Sequence, residues 1–248
     1  MKKICEVLGQ TKLFDSMDHS VFQPYCSRTS IRLIWKGEIV VNEGDRCEGI
    51  SSVVSGTLAV QKYSADGEYV TLNLLEPGDS FGEEFFFGSN KEYTYSIEAV
   101  SNAQVIHVPR DVMMNMLEND EEVRDNFMRD LSDKVNAQYS RINILSQRNL
   151  RLKISRYLLE LHYQTDEEEE RRYGYMQKKT PVSTASVELP VSKEVAAKLL
   201  AMPRPSFSRE LVRMEKEGLI RVSGRVIWLT NLEALEADGQ IDELEDEE

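Results

Sequence analysis

Residues 190–220 read PVSKEVAAKLLAMPRPSFSRELVRMEKEGLI, and the fold of the C-terminal part turns on them. Ser192 is placed to cap a first helix running to about Leu200, Ala201 to Pro203 make a short turn, and a second helix runs from about Arg204 to Lys216. Two short helices across a tight turn are helix-turn-helix geometry, in which the second helix enters the major groove with its N-terminal residues toward the bases. Arg204, Ser206 and Arg209 stand at that end, while Leu199, Phe207, Leu211 and Met214 fall on the other face and supply a core.

Outward from this stretch, LIRVSGRVIWL (219–229) alternates apolar and polar residues about Ser223-Gly224, a two-residue hairpin turn that adds a wing. Arg221 and Arg225 at its tip suit phosphate contacts, which add affinity without reading sequence. Upstream, HYQTDEEEERRYGYMQKKTPVSTAS (162–186) is polar and without period, which predicts a long surface connection. Before it, the pattern is helical from about Asp111 to Leu161, with a break near Glu118-Asn119-Asp120. Leu131, Val135, Gln138, Ile142 and Leu145 follow 4-3-4-3 spacing, the seam of a parallel coiled coil, and predict a homodimer; the other reading packs this stripe on the preceding domain.

From Ile31 to Pro109 short runs rich in Val, Ile and Tyr are punctuated by Gly37, Gly44, Gly49, Gly56, Gly67, Gly78, Gly82 and Gly88, the turn spacing of a compact antiparallel barrel or sandwich. Asp66-Gly67 marks a hairpin, because glycine accepts the positive φ such turns demand. The expected class is α+β: an N-terminal all-β barrel or sandwich over 1–110, a dimerisation helix over 111–147, a winged helix-turn-helix over 148–230, and a disordered acidic tail over 231–248.

Charge follows this division. The 248-residue chain carries a net charge of −13, yet residues 148–230 hold 16 basic and 11 acidic side chains, residues 1–147 hold 14 and 23, and residues 231–248 hold none and 9. A basic module between acidic ones suits nucleic-acid binding. No stretch is apolar enough to span a membrane and no secretory signal precedes the first domain, so a cytoplasmic protein without membrane contact is expected. Cys5, Cys26 and Cys47 match no metal or cluster spacing and read as reduced thiols; His19, His107 and His162 are scattered. No residues assemble a catalytic or metal site, and an enzyme is not expected.

The order Lys36-Gly37-Glu38, Glu43-Gly44-Asp45, VVSG ending at Gly56, then Pro77-Gly78-Asp79-Ser80-Phe81-Gly82-Glu83 resembles the cyclic-nucleotide-binding jelly roll of the catabolite-activator and fumarate-nitrate-regulator (CRP/FNR) family of bacterial transcription regulators, which implies a double-stranded β-helix over 1–110. The long helix and winged domain resemble the same family. The resemblance implies a sequence-specific regulator that binds double-stranded DNA as a homodimer at an imperfect palindrome, and that contacts RNA polymerase if it activates. It also implies a small-molecule effector closed in by Gln138 and Tyr139 from the dimer axis.

This sequence departs from the family pattern at two places. Arg204 and Arg209 match the two arginines of the recognition helix, but Pro205 stands where a glutamate is usual, so the half-site differs from the catabolite activator's. In the barrel, Gly82-Glu83-Glu84 keeps the ribose-binding glutamate, but Tyr93-Thr94 replaces the arginine-serine pair that neutralises a cyclic phosphate. Cyclic AMP and cyclic GMP are therefore not expected as effectors, and three dispersed cysteines are too few for an iron–sulfur cluster. Phe81, Phe85, Phe86, Tyr93 and Tyr95 admit an aromatic effector, or form core with no ligand at all. A competing reading is a regulatory adaptor that binds protein partners; arginines gathered on one face favour DNA over it.

Overall fold

A computed structural model describes residues 6–9, 11–14, 17–173 and 185–241. Its contacts divide the chain between Gln138 and Tyr139 into two units, each with a core of its own.

The first unit holds a short helix α1 (His19–Phe22), strands β1 (Ser30–Ile34), β2 (Ile39–Val41), β3 (Gly49–Ser55), β4 (Leu58–Tyr63), β5 (Tyr69–Leu75) and β6 (Ser80–Phe81), a one-turn helix α2 (Glu83–Phe86), then β7 (Ser96–Ala99) and β8 (Ala103–Pro109). They form two antiparallel four-stranded sheets, β1-β8-β3-β6 and β2-β7-β4-β5, the expected jelly roll. The period of two places Val105 of β8 in the core between the sheets, with Ile34, Val53, Phe81 and Ile97. Its neighbours Ile106 and Val108 face the opposite way, into a second core with Val112, Met113 and Met116. Both faces of β8 are therefore covered.

Two glycines are required where they stand. A Cβ on Gly56, at φ +79°, would lie 2.2 Å from the Asn102 carbonyl oxygen, and one on Gly82, at φ +103°, would lie 2.9 Å from that of Gly49. The left-handed step at Gly82 starts α2, whose first residue, Glu83, is buried.

Pro109 precedes α3 (Arg110–Asn119), and Asp120 ends it in extended conformation while accepting the Val123 amide at 3.0 Å, so one residue both stops α3 and caps α4 (Glu121–Ser146). Phe127 and Val123 bury the start of α4 in the second core, with Leu131 partly buried against it. The last turns of α4 belong to the second unit. Ile144 is buried, Asn143 accepts a 2.9 Å bond from Arg156, and the Arg141 guanidinium bonds the Leu199 carbonyl.

The second unit continues with α5 (Leu150–Tyr173), β9 (Ser186–Glu188), α6 (Lys193–Leu199), α7 (Arg204–Lys216), β10 (Ile220–Ser223), β11 (Val226–Leu229) and α8 (Leu232–Ile241). The Ser192 side chain accepts the Val195 amide as the expected cap. The wing pairs Ser223 with Val226, so its two-residue turn is Gly224-Arg225, one residue beyond the expected place, with Gly224 at φ +63°.

Three further expectations are corrected. The connection expected from His162 begins as helix: α5 runs on through Glu167–Glu170 to Tyr173, because glutamate and arginine are good helix formers and a turn already anchored propagates without an apolar period. Residues 174–184 lie outside the described residues. The acidic tail expected from residue 231 is helical to Ile241, capped by Asn231 on the Ala234 amide at 3.0 Å and anchored by fully buried Leu235; residues 242–248 lie outside the described residues. Finally, Cys47 is a free buried thiol but Cys26, 1% exposed, is disulfide-bonded, so the expectation of three reduced thiols does not hold.

Candidate nucleic-acid interface and effector pocket

Phe207, Leu211 and Met214, at i, i+4 and i+7, anchor α7 in its unit. The same period turns Arg204, Arg209 and Arg213 to the exposed flank. Arg209 is held within its own helix by Nε on the Pro205 carbonyl at 3.2 Å and Nη2 on Ser206 Oγ at 3.4 Å. Arg204 lies 3.9 Å from Glu194, a loose ion pair that leaves its donors available. Val212, 51% exposed, lies seven residues from Pro205 on the same flank; sequence reading omitted it, although the helical period alone would have found it.

Arg151 ties α7 to α5, with Nε 3.0 Å from Glu210 and Nη2 2.5 Å from Glu217. Glu217 also takes Arg213 at 3.2 Å, and hydrogen bonding from Arg151 above all holds its carboxyl below the usual glutamate value. On the wing, Arg221 stands 5.6 Å over the Trp228 ring and Arg225 pairs with Glu188 at 2.6 Å, so one of the two expected phosphate ligands carries an internal partner.

In the barrel, Glu83 is buried and its Oε1 meets Lys134 Nζ at 2.7 Å. Lys134 also reaches Asp130 at 3.0 Å and donates to the Ser80 carbonyl at 2.9 Å, and Ser80 Oγ donates to Asp130 at 2.8 Å. Burial pushes the Glu83 carboxyl up against the pull of Lys134; burial also opposes the Lys134 ammonium, but Glu83 and Asp130 outweigh it and hold its pKa up. Glu83 Oε2 is buried with no hydrogen-bond partner among the described residues.

Of the other residues expected here, Tyr93 is buried, 4.9 Å from the Phe85 ring centroid, and Glu84 is exposed, accepting from the Tyr95 hydroxyl. Thr94 is exposed, only its carbonyl being engaged among the described residues, by Lys62 at 2.8 Å. Gln138 and Tyr139 are also exposed. The structure thus gathers Glu83 with Lys134, Asp130 and Ser80, and sets Tyr93 among aromatics. Lys134 escaped sequence reading because its partners are 51 and 54 residues away; Asp130 one helical turn earlier was the local signal.

Residues 32–120 match the cyclic nucleotide-binding domain and residues 152–238 the Crp-like helix-turn-helix domain. The chain is 29% identical over 204 residues to the transcriptional regulator LdrP of Thermus thermophilus, covering 81% of this chain and 92% of that one. It is 20% identical over 191 residues to the cAMP-activated global transcriptional regulator Vfr of Pseudomonas aeruginosa, covering 76% and 83%. Among solved structures, a CRP-family transcriptional regulator from Thermus thermophilus is 26% identical with a TM-score of 0.62, over 84% of this chain and 96% of that chain. FixK2 from Bradyrhizobium japonicum superposes with a TM-score of 0.66 at 21% identity, with the same coverage.

Proposed function

The chain belongs to the CRP/FNR family of bacterial transcription regulators and carries its DNA-binding helix-turn-helix, and on this premise we propose that it acts in the cytoplasm as a homodimer on an imperfect palindrome. The observation that carries this reading is α7: an apolar face locked in the domain and an exposed flank with Arg204, Arg209 and Arg213 on it. Arginine reads guanine through O6 and N7, and Val212 offers an apolar contact for a thymine methyl. Arg221, Arg225 and Ser206 supply backbone contacts. Pro205 can accept no proton from a cytosine amino group, so the half-site lacks the base pair a glutamate would select. Two-fold symmetry sets the half-sites about 34 Å apart. RNA polymerase is the further partner where the protein activates.

Cyclic AMP and cyclic GMP do not fit as effectors. By the family resemblance Tyr93 stands where the phosphate-binding arginine would be, and the half-buried Lys134 ammonium is already shared by Glu83 and Asp130. A cyclic phosphate set beside them would lack a counter-charge.

Selection of random duplexes by the purified chain, followed by sequencing, tests this. A two-fold-symmetric motif is expected, with Arg209→Ala losing about 1–3 kcal/mol of discrimination at one base pair of each half-site. Enrichment of no motif, or of one unaffected by Arg204→Ala and Arg209→Ala, overturns it.

A further inference from the structure

Most of the space between the two sheets is apolar, but at one end the inward-facing residues change character. Ser30 and Ser51 both pair with His107 across β1, β8 and β3, and Arg32 follows Ser30 on the same face. Here the barrel opens into a cavity of about 440 Å³. Its floor is Ile34, Val41, Phe81 and Val105, none more than 9% exposed, and Tyr93 lines it too. Glu83 and Lys134 take no part in it.

The polar lip has donors to spare. Arg32 approaches Glu38 no closer than 3.8 Å and Arg46 approaches Glu48 no closer than 3.9 Å, so among the described residues neither guanidinium is hydrogen-bonded to a carboxylate. His107 Nδ1 is 2.9 Å from Ser51 Oγ, leaving Nε2 for another partner. Burial, and then the Arg32 charge, hold His107 below its usual pKa and keep the ring neutral near pH 7. Of the two acids at the lip, Asp45 is engaged by the Asn42 amide at 2.8 Å, while Glu48 stands by Arg46.

We propose that this mouth of the barrel is a ligand site for a small organic monocarboxylate with an apolar body. The body lies on Ile34, Val41, Phe81 and Val105, and the carboxylate meets the planar forks of Arg32 and Arg46, which match its geometry. Asp45 and Glu48 beside them disfavour a dianion such as a phosphate monoester. The volume is that of a site for a molecule of modest size. The site needs only the barrel, so it stands whether or not the DNA-binding reading does.

The test is calorimetric titration of the full chain with octanoate and 2-naphthoate, each beside its carboxamide, and with DNA binding followed on the same preparations. At least one acid is expected to bind, its amide about tenfold or more weaker, and Arg32→Gln/Arg46→Gln to lose about tenfold with an unchanged melting temperature. The proposal is overturned if neither acid binds at about 5 mM, if amide and acid bind alike, or if the double variant binds as the parent does. DNA binding that persists in such a failure confines it to this site.

Discussion

Lys134 sits among two carboxylates and the Ser80 oxygens, and it is the cation that offsets the burial of Glu83 and Asp130. Replacing it by methionine keeps the stem's apolar contacts but strands both acids. Removing one partner of a buried pair costs more than the pair itself contributes, here about 3 kcal/mol, because a third of the Lys134 side chain is in solvent. Denaturant unfolding at pH 7 should show that loss for Lys134→Met and a much smaller one for Lys134→Met/Glu83→Gln. The pH dependence has a definite sign. Glu83's folded pKa is raised by burial, so its contribution is complete below the ordinary value of 4.5 and falls as pH rises through the folded pKa. The deficit of Lys134→Met should therefore shrink as pH is lowered toward 4.5, and a deficit constant in pH would show that Glu83 is not the group left stranded.

At the scale of elements, α4 shows an exposed apolar face. Met128, Val135 and Ile142, at heptad spacing, are 58, 53 and 60% exposed, and Tyr139 is 68% exposed, whereas Leu131 turns partly onto the barrel's second core and Leu145 is half-buried. A second copy of the helix would cover the exposed set by knobs-into-holes packing. In the proposed homodimer, Val135→Asp/Ile142→Asp should sediment as a monomer and bind a palindromic operator at least about a hundredfold more weakly, since each recognition helix would lose its tethered twin. A dimer that survives both charges would place the interface elsewhere. The two helices of residues 192–216, the stop at Asp120 and the glycine-marked strands were legible in the sequence, because capping, helical period and turn chemistry are local. What escaped was non-local or without a pattern. The three-residue β9 is defined only by its pairing with β11, the extension of α5 has no apolar period to show it, and α8 hid its buried Leu235 among acids.

For the whole molecule, the distribution of charge sets a conflict. The chain is at −13, and its basic DNA-binding module is followed by residues 242–248, DELEDEE, with six carboxylates and no cation. Their field and that of DNA phosphates have the same sign, so they oppose association over distances set by screening, about 8 Å at 0.15 M salt. The counterions released when arginines meet phosphates drive binding the other way. Ending the chain at Ile241 takes the net charge to −7 and leaves α8 and its Leu235 anchor in place. The shortened protein should bind its operator roughly two- to fivefold tighter at about 50 mM salt, chiefly through faster association. The gap should close above roughly 0.3 M, so the truncated chain shows the steeper dependence of affinity on salt. Equal affinities at every salt concentration would mean that these carboxylates lie beyond the screening length from the bound duplex, and that the acidic end acts on solubility alone.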